Sequence, residues 1–447
     1  MRRGLDPLGL IMLGAFVVRI APITQPLWFD EAYTAWLAKL PLRDMLNATL
    51  EDVHGPLWYL IAGASVRLFG ESEIALRAPS LILGMLCVCF TYCLARELLG
   101  HRTALIAAAI MAFNPLAVYH SGESRMYSLL LCSVLVASYG SVTGKRWAVI
   151  GGTALTLFSH NLGFIYLPGI ALLAGKANIK RVLPAMALGI LPYMLWLPSL
   201  VYQMSHNQFG QSYWISYFTG NPFATLLAAV TQLWFPHFRF EAMSRVGALV
   251  TFALFLFPAV AAIRVRKLNI IALLAVTVLP MLAELGASIV FQPIILSRTL
   301  IGTLPIWAML IAWWITLPRV WTWSKAGLIG LAACVIFSSN IALLSYKRGQ
   351  FMIPMLDAIN VTRQPGDVIC HTSPSTFLWY EFYKPVQSVV INRVDPDTCQ
   401  FIIYGKSIFP DDPNVHLADA VLSRHEHETL VTAYDQGDVM VALYRLH

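Results

Sequence analysis

Long apolar runs, broken by short basic gaps, fill the first 345 positions of this 447-residue chain. A helix that crosses a bilayer needs about 20 predominantly apolar residues. Eleven segments fit that pattern: 8–24, 77–96, 103–119, 126–142, 146–160, 161–175, 182–202, 246–263, 268–290, 298–317 and 325–345. The pair at 146–175 is short for two helices. Two more apolar stretches, 55–70 (GPLWYLIAGASVRLFG) and 222–238 (NPFATLLAAVTQLWFPH), would reverse the alternation of basic and non-basic gaps if they crossed. Their aromatic and polar interruptions predict helices lying in the interface instead. The first loop on that side is therefore long, 25–76, with two or three surface helices.

After Tyr346 the pattern changes. Short β-rich runs at 367–371, 388–392, 401–404, 429–433 and 439–444 alternate with candidate helices at 351–361, 374–383 and 416–424. They predict a small α/β domain over 347–447, following a membrane domain over 1–346.

Composition supports this fold class, an α-helical polytopic membrane bundle with a small extracytoplasmic α/β domain. Charged residues are 12% and hydrophobic residues 57% of the chain, against about 25% charged in soluble domains. Mean hydropathy is +0.65. The net charge of +7 does not indicate a nucleic-acid partner, because Arg2, Arg3, Arg96, Arg102, Lys145, Arg146, Lys176, Lys180, Arg181, Arg264, Arg266, Lys267, Arg319 and Lys325 sit in short gaps between apolar runs. Such charge marks the cytoplasmic side. Placing Arg2 and Arg3 inside puts the N-terminus in the cytoplasm, and an odd number of spans puts the tail outside. The first apolar segment lacks a small-residue cleavage site and is expected to be retained.

The seven cysteines form no CxxC pair at metal spacing. Cys370 and Cys399 fall in the polar tail, where an oxidising exterior permits a disulfide.

Candidate chemistry clusters on the predicted outer side. Trp28-Phe29-Asp30-Glu31 follows the first span directly, and adjacent carboxylates at the edge of hydrocarbon are expensive. Two roles are open. Asp30 can cap a surface helix with Glu31 in its first turn, or one carboxylate can act as a general base on an attacking hydroxyl; the two are compatible. Asp52 and His54 close the same loop and, with Asp30 and Glu31, offer an oxygen-plus-imidazole set for a divalent metal ion. The simpler role for His54 is to anchor the helix after Pro56. Glu123, Arg125 and Tyr127 lie between the third and fourth spans. On a helix Glu123 and Tyr127 would share a face, and Arg125 either pairs with Glu123 or holds a phosphate. His160 ends a span on the same side, and Arg298 stands at the outer end of the tenth, placed to meet headgroups or a leaving phosphate. His237, Arg239 and Glu241 read as interface residues. No P-loop or Rossmann glycine fingerprint occurs.

WFDEAYTAW (28–36), DVHGPLWYL (52–60), ALRAPSLILG (75–84) and HSGESRMYSLL (120–130), in this order and spacing, resemble the protein O-mannosyltransferase-like, or ArnT-like, branch of the GT-C membrane glycosyltransferases. FSHNLG (158–163) and Ser297-Arg298 fit more loosely. Gly55-Pro56 replaces the Pro-Pro that many relatives carry. The resemblance implies a bundle of about eleven to thirteen helices in a bacterial inner membrane. It also implies transfer of a sugar, usually with inversion, from a polyprenyl monophosphate to a lipid, glycan or protein acceptor. Asp30 maps to the family's candidate base, with Glu31 and Glu123 beside it and His54, Arg125, Tyr127, His160 and Arg298 toward the substrates. A transporter or flippase of a lipid-linked glycan is the competing class, but it would place ionisable residues near the midplane. Here the spans are nearly free of charge except Arg19 and Glu284, and the acids cluster at one surface.

Overall fold

The computed structural model describes residues 6–206, 221–235, 241–291, 294–317, 323–345, 349, 352–383, 388–406, 413–435 and 439–447. Arg2, Arg3, His237, Arg239 and Arg319, used above to set topology or mark an interface, lie outside them. The first half of the chain folds as α1 (Pro7–Ile20), α2 (Phe29–Lys39), α3 (Leu42–Leu50), α4 (Leu57–Phe69), α5 (Glu73–Leu99), α6 (His101–Phe113), α7 (Pro115–Ser121), α8 (Tyr127–Thr143) and α9 (Arg146–Ser159). Each of the eleven apolar segments coincides with helix. By length and apolarity alone, five helices among the described residues can cross a membrane, or seven if two bent pairs each count as one span. The other apolar helices are 10–17 residues long. In α8 and in the helix Leu304–Thr316 nearly every side chain is buried by neighbouring helices. Large apolar side chains such as Leu13, Val17, Leu188 and Phe252 remain exposed on the outer helices, the surface that lipid covers.

One bent pair shapes the site. α6 and α7 meet at 60°, because Pro115 lacks the amide that would continue the helix. The carbonyls left open find new donors. Arg19 of α1, fully buried, donates to Met111 O at 3.0 Å and Ala112 O at 2.5 Å. Asn340 donates to Phe113 O at 2.8 Å. Asn114 caps α7 through the Ala117 amide at 2.9 Å. Arg19 also reaches Ser121 Oγ at 3.1 Å, so the charge that looked anomalous in a span fixes the far end of α7.

The predicted surface segments are helical too: 55–70 contains α4, and 222–238 contains Pro222–Gln232. The long first loop carries three helices, α2 to α4.

Beyond residue 352 the chain forms a five-stranded sheet in the order β2-β1-β3-β5-β4. The strands are β1 (Ile369–His371), β2 (Ser388–Val390), β3 (Phe401–Lys406), β4 (His427–Asp435) and β5 (Val439–Leu446). β2, β1 and β3 are parallel; β5 and β4 add antiparallel. The β1-to-β2 crossover carries the helix Pro374–Tyr383, and β2 reaches β3 through two short 3-10 turns. Cys370 and Cys399 are joined in a disulfide with Cα atoms 5.8 Å apart.

This sheet region packs directly on α2. Ala32, Ala35 and Ala38 give the helix a smooth face that meets Met352, Met355, Trp379 and Tyr380 in one apolar cluster. Trp379 Nε1 donates to Leu27 O at 2.6 Å, the Leu27 amide donates to Tyr383 Oη at 2.7 Å, and Tyr383 donates to Glu73 at 3.0 Å. The approach to α2 is thus held from both sides, by α5 and by the sheet region.

Candidate active site

The start of α2 and the turn between α7 and α8 are stapled residue by residue. Trp28 Nε1 donates to Glu123 Oε1 at 3.0 Å, and the Ser124 amide donates to Glu31 Oε1 at 2.7 Å. Arg125 sets Nη2 3.8 Å from Asp30 Oδ2 and Nη1 3.5 Å from the Asp30 carbonyl. Gly122 allows this approach, since a Cβ there would stand 2.8 Å from Pro22 Cβ.

Trp28, extended at φ −102° and ψ 175°, is the N-cap of α2, and Glu31 reaches back to its amide at 3.3 Å, a capping-box contact. The cap expected at Asp30 therefore falls two residues earlier, at Trp28: Asp30 lies in the first turn, where a negative charge is favoured by the helix dipole. Glu31 is wholly buried, and Arg77 of α5 grips both its oxygens, Nε to Oε1 at 2.7 Å and Nη2 to Oε2 at 2.5 Å. Arg77 also donates to the carbonyls of Pro22, Ile23, Gln25 and Pro26, which fixes the chain entering α2. Sequence reasoning passed over Arg77. Its signal was a lone cation inside the apolar run ALRAPSLILG.

Glu123 is not helical, since α8 begins at Tyr127, so the face-sharing expected at i,i+4 does not apply. Nor does Arg125 bridge to Glu123 as weighed above. Its ion pair is with Asp30, while His120 Nδ1 stands 2.6 Å from Glu123 Oε2. Tyr127 reaches the site by another route, its ring 4.5 Å from that of His120. Of the three carboxylates 30, 31 and 123, two are sealed. The Asp30 side chain is 38% exposed, against 0% for Glu31 and 1% for Glu123.

A second group faces the first. Asp52 meets His54 Nδ1 at 3.3 Å and takes a short hydrogen bond from Tyr59. His54 therefore turns to Asp52 and His160, not to the start of α4 as a cap. The His54 and His160 rings stand perpendicular, 5.6 Å apart, and Tyr127 lies 6.4 Å from His160. The Arg298 guanidinium sits over the Tyr127 ring at 5.8 Å. The 52–55 turn is seated on the end of α9. A Cβ at Gly55 would stand 2.9 Å from Phe158 O, and Asn161 donates to Val53 O at 2.9 Å. Gly-Pro in place of Pro-Pro thus has a local packing consequence.

Burial alone would raise the Asp52 carboxyl, but His54, Arg125 and the Tyr59 hydrogen bond outweigh it and hold the group at about 2. Burial pushes His54 down, with Arg125 and Arg298 acting in the same direction against Asp52. Its imidazole is thus kept neutral. Burial opposes the charge on Arg125, but Asp30, then Tyr59, Tyr127 and Asp52, raise it well above the ordinary guanidinium value. The site therefore holds fixed cations, carboxylates closed off at Glu31, Asp52 and Glu123, and one accessible carboxylate at Asp30. Among the described residues no three His, Cys, Asp or Glu side chains converge as a metal site, and the Glu31 oxygens weighed for that use are turned to Arg77.

Against known folds the arrangement is recognisable. ArnT from Cupriavidus metallidurans in the apo state superposes with a TM-score of 0.62 at 12% identity, over 97% of each chain. Its complex with undecaprenyl phosphate matches equally well, with a TM-score of 0.62 at 13% identity and the same coverage. This is an integral membrane protein with the GT-C fold. The oligosaccharyltransferase from Archaeoglobus fulgidus, in a complex with Zn and sulfate, gives a TM-score of 0.55 at 14% identity, over 89% of this chain and 68% of its own. A family model described as dolichyl-phosphate-mannose-protein mannosyltransferase matches residues 53–201. That stretch begins inside the Asp52–His54 turn and runs through Glu123, Arg125, Tyr127 and His160. No curated protein matches the chain in sequence. The fold class expected from hydropathy and the family resemblance together, a GT-C-like bundle with a small C-terminal sheet region, agrees with these likenesses.

Proposed function

We propose that the chain is a membrane glycosyltransferase that moves a sugar from a polyprenyl-phosphate donor to an acceptor hydroxyl at the outer face of a bacterial inner membrane. The acceptor is a lipid, glycan or protein. One observation carries the reading: of the carboxylates held around the 123–125 turn, only Asp30 is open, and a buried Arg125 orients it. Its fold neighbours include an ArnT bound to undecaprenyl phosphate and an archaeal oligosaccharyltransferase in complex with an inhibitory peptide and a dolichol-phosphate, which supports a lipid-linked donor.

The step balances as a single displacement. The acceptor oxygen attacks the anomeric carbon, its proton passes to Asp30, and the bond from that carbon to the donor phosphate breaks as polyprenyl phosphate leaves. Attack opposite the leaving group inverts the anomeric centre. A leaving phosphate gains charge, and preorganised donors at that point lower the barrier most. Arg298 supplies a fixed cation there, with Tyr127 beneath it and neutral His54 and His160 beside it. Glu31 and Glu123 hold the base in place and take no proton.

The test is transfer from a radiolabelled prenyl-phosphate sugar by the purified, membrane-reconstituted chain. Asp30→Asn is expected to abolish transfer, a loss of about 10²–10⁴-fold for a general base, with unchanged membrane insertion and melting. Full activity in that variant rejects the assignment.

A further inference from the structure

We infer that the aromatic rim beside Asp30, formed by Tyr33 and Trp36 and backed by buried Tyr59, is the acceptor subsite, and that it takes a sugar ring with free hydroxyls rather than a peptide. The inference rests on the glycosyl-transfer reading above, and deepens it by assigning the acceptor's chemical class. α2 buries Glu31, Ala32, Thr34, Ala35, Leu37 and Ala38. What it leaves open is a stripe at intervals of three: Asp30, Tyr33, Trp36. Residues so spaced are neighbours on a helix surface. The Tyr33 and Trp36 rings lie 5.7 Å apart at 35°, and Tyr59 of α4 closes on Tyr33 edge-on at 6.2 Å. Trp36 is 38% exposed. Tyr33 joins this outer ring to the site, since its phenol lies in the field of Asp52, Arg125 and Glu51. Glu51 itself meets the Tyr202 hydroxyl at 3.3 Å.

The combination is specific in its chemistry. A pyranose ring has a face of C–H bonds, slightly positive, that lies against the negative face of an aromatic ring, and an edge of hydroxyls that carboxylates accept from. The rim offers both, with the open carboxylates of Asp30 and Glu51 near the rings. An anionic headgroup would meet those carboxylates at close range. Lys39, the cation nearest Trp36 along α2, is engaged by Glu71 at 2.5 Å. A peptide bound by strand addition would need a sheet edge, which this helical surface lacks, and a peptide bound by other means would overturn the assignment. A sugar stacked on Tyr33 and Trp36 lies along the stripe that ends at Asp30, so its hydroxyl edge is delivered to the base.

The experiment uses the full chain in nanodiscs and three probes: undecaprenyl phosphate, the pool of neutral oligosaccharides released by mild acid from the producing cells' own envelope, and a mixed-sequence peptide pool. Binding is read by saturation-transfer NMR for the pools and native mass spectrometry for the lipid. Wild type is expected to bind the oligosaccharides and not the peptides. Trp36→Ala is expected to weaken that binding at least tenfold, Trp36→Phe to retain most of it, and both to keep wild-type melting and lipid binding. Oligosaccharide binding unchanged in Trp36→Ala, absent in wild type, or displaced by peptide overturns the assignment. Wild type that binds oligosaccharide through Trp36 but does not bind undecaprenyl phosphate would keep the sugar subsite and sink the donor reading, so the two failures are distinct.

Discussion

Arg77 lies along the Glu31 carboxylate in a two-pronged grip, 2.7 and 2.5 Å, with both side chains wholly buried. Breaking one member of such a pair leaves an unpaired buried charge, at a cost of about 3–5 kcal/mol. Glu31→Gln and Arg77→Met are therefore expected to lower the melting temperature in detergent sharply and to lose activity with it. Asp30→Asn, half exposed and one residue away, is expected to lose activity while its stability stays within about 0.5 kcal/mol of wild type. Differential scanning fluorimetry beside a transfer assay separates the two. Equal melting for all three variants would mean the grip is not a fold element.

Arg298 stands over Tyr127. As a phosphate-binding cation it contributes mainly in the transition state. Arg298→Ala is expected to cut kcat by about 10²–10³-fold, and to weaken binding of undecaprenyl phosphate in native mass spectrometry. A variant that changes neither would remove Arg298 from the donor end.

His371, on β1, is fully buried among Phe377, Tyr380 and Thr376, and burial pushes its pKa down from 6.5 to about 3. The sign follows directly. The folded chain keeps the imidazole neutral, while the unfolded chain binds a proton below pH 6.5. Stability attached to this group is complete above pH 6.5 and lost as pH falls toward 3, by about 1.4 kcal/mol per pH unit. Between pH 7 and pH 5 the wild type should lose about 2 kcal/mol more than His371→Leu in urea titrations of the full chain. Parallel pH profiles for the two proteins would refute this.

The Cys370–Cys399 bond closes a loop with a sequence separation of 29. Its removal in Cys370→Ser is expected to destabilise the sheet region by about 3–4 kcal/mol on the loop-entropy account. Proteolysis of that region, monitored with and without reductant, should quicken for wild type only when reductant is present. Identical cleavage rates in both conditions would show the bond carries no stability.

Hydropathy marked every helical segment of the bundle and the alternation marked every strand of the sheet, because both depend on local pattern. What it could not mark was the break between Phe113 and Pro115 as a structural joint, since a proline signals an interruption without saying which side chain refills the open carbonyls. Arg19 does so from 92 residues away. The site was legible to a similar depth. Asp30, Glu31, His54, Glu123, Arg125, Tyr127, His160 and Arg298 do come to one region, and order along the chain carried that. Their roles were not legible, because role depends on burial. Glu31 and Asp30 are adjacent and chemically alike, and only the position of Arg77 divides an anchored carboxylate from an open one. The pairing of Arg125 with Asp30 instead of Glu123 has the same cause: Trp28 and His120 had already engaged the nearer acid.

The indole of Trp379 and the phenol of Tyr383 hold Leu27, two residues before the N1 position of the helix that bears Asp30, across 352 and 356 positions of sequence. Arg77 already fixes residues 22–26 from within the bundle, so the sheet region is a second hold on the same lead-in, and disturbing it would loosen the approach to Asp30 without releasing it.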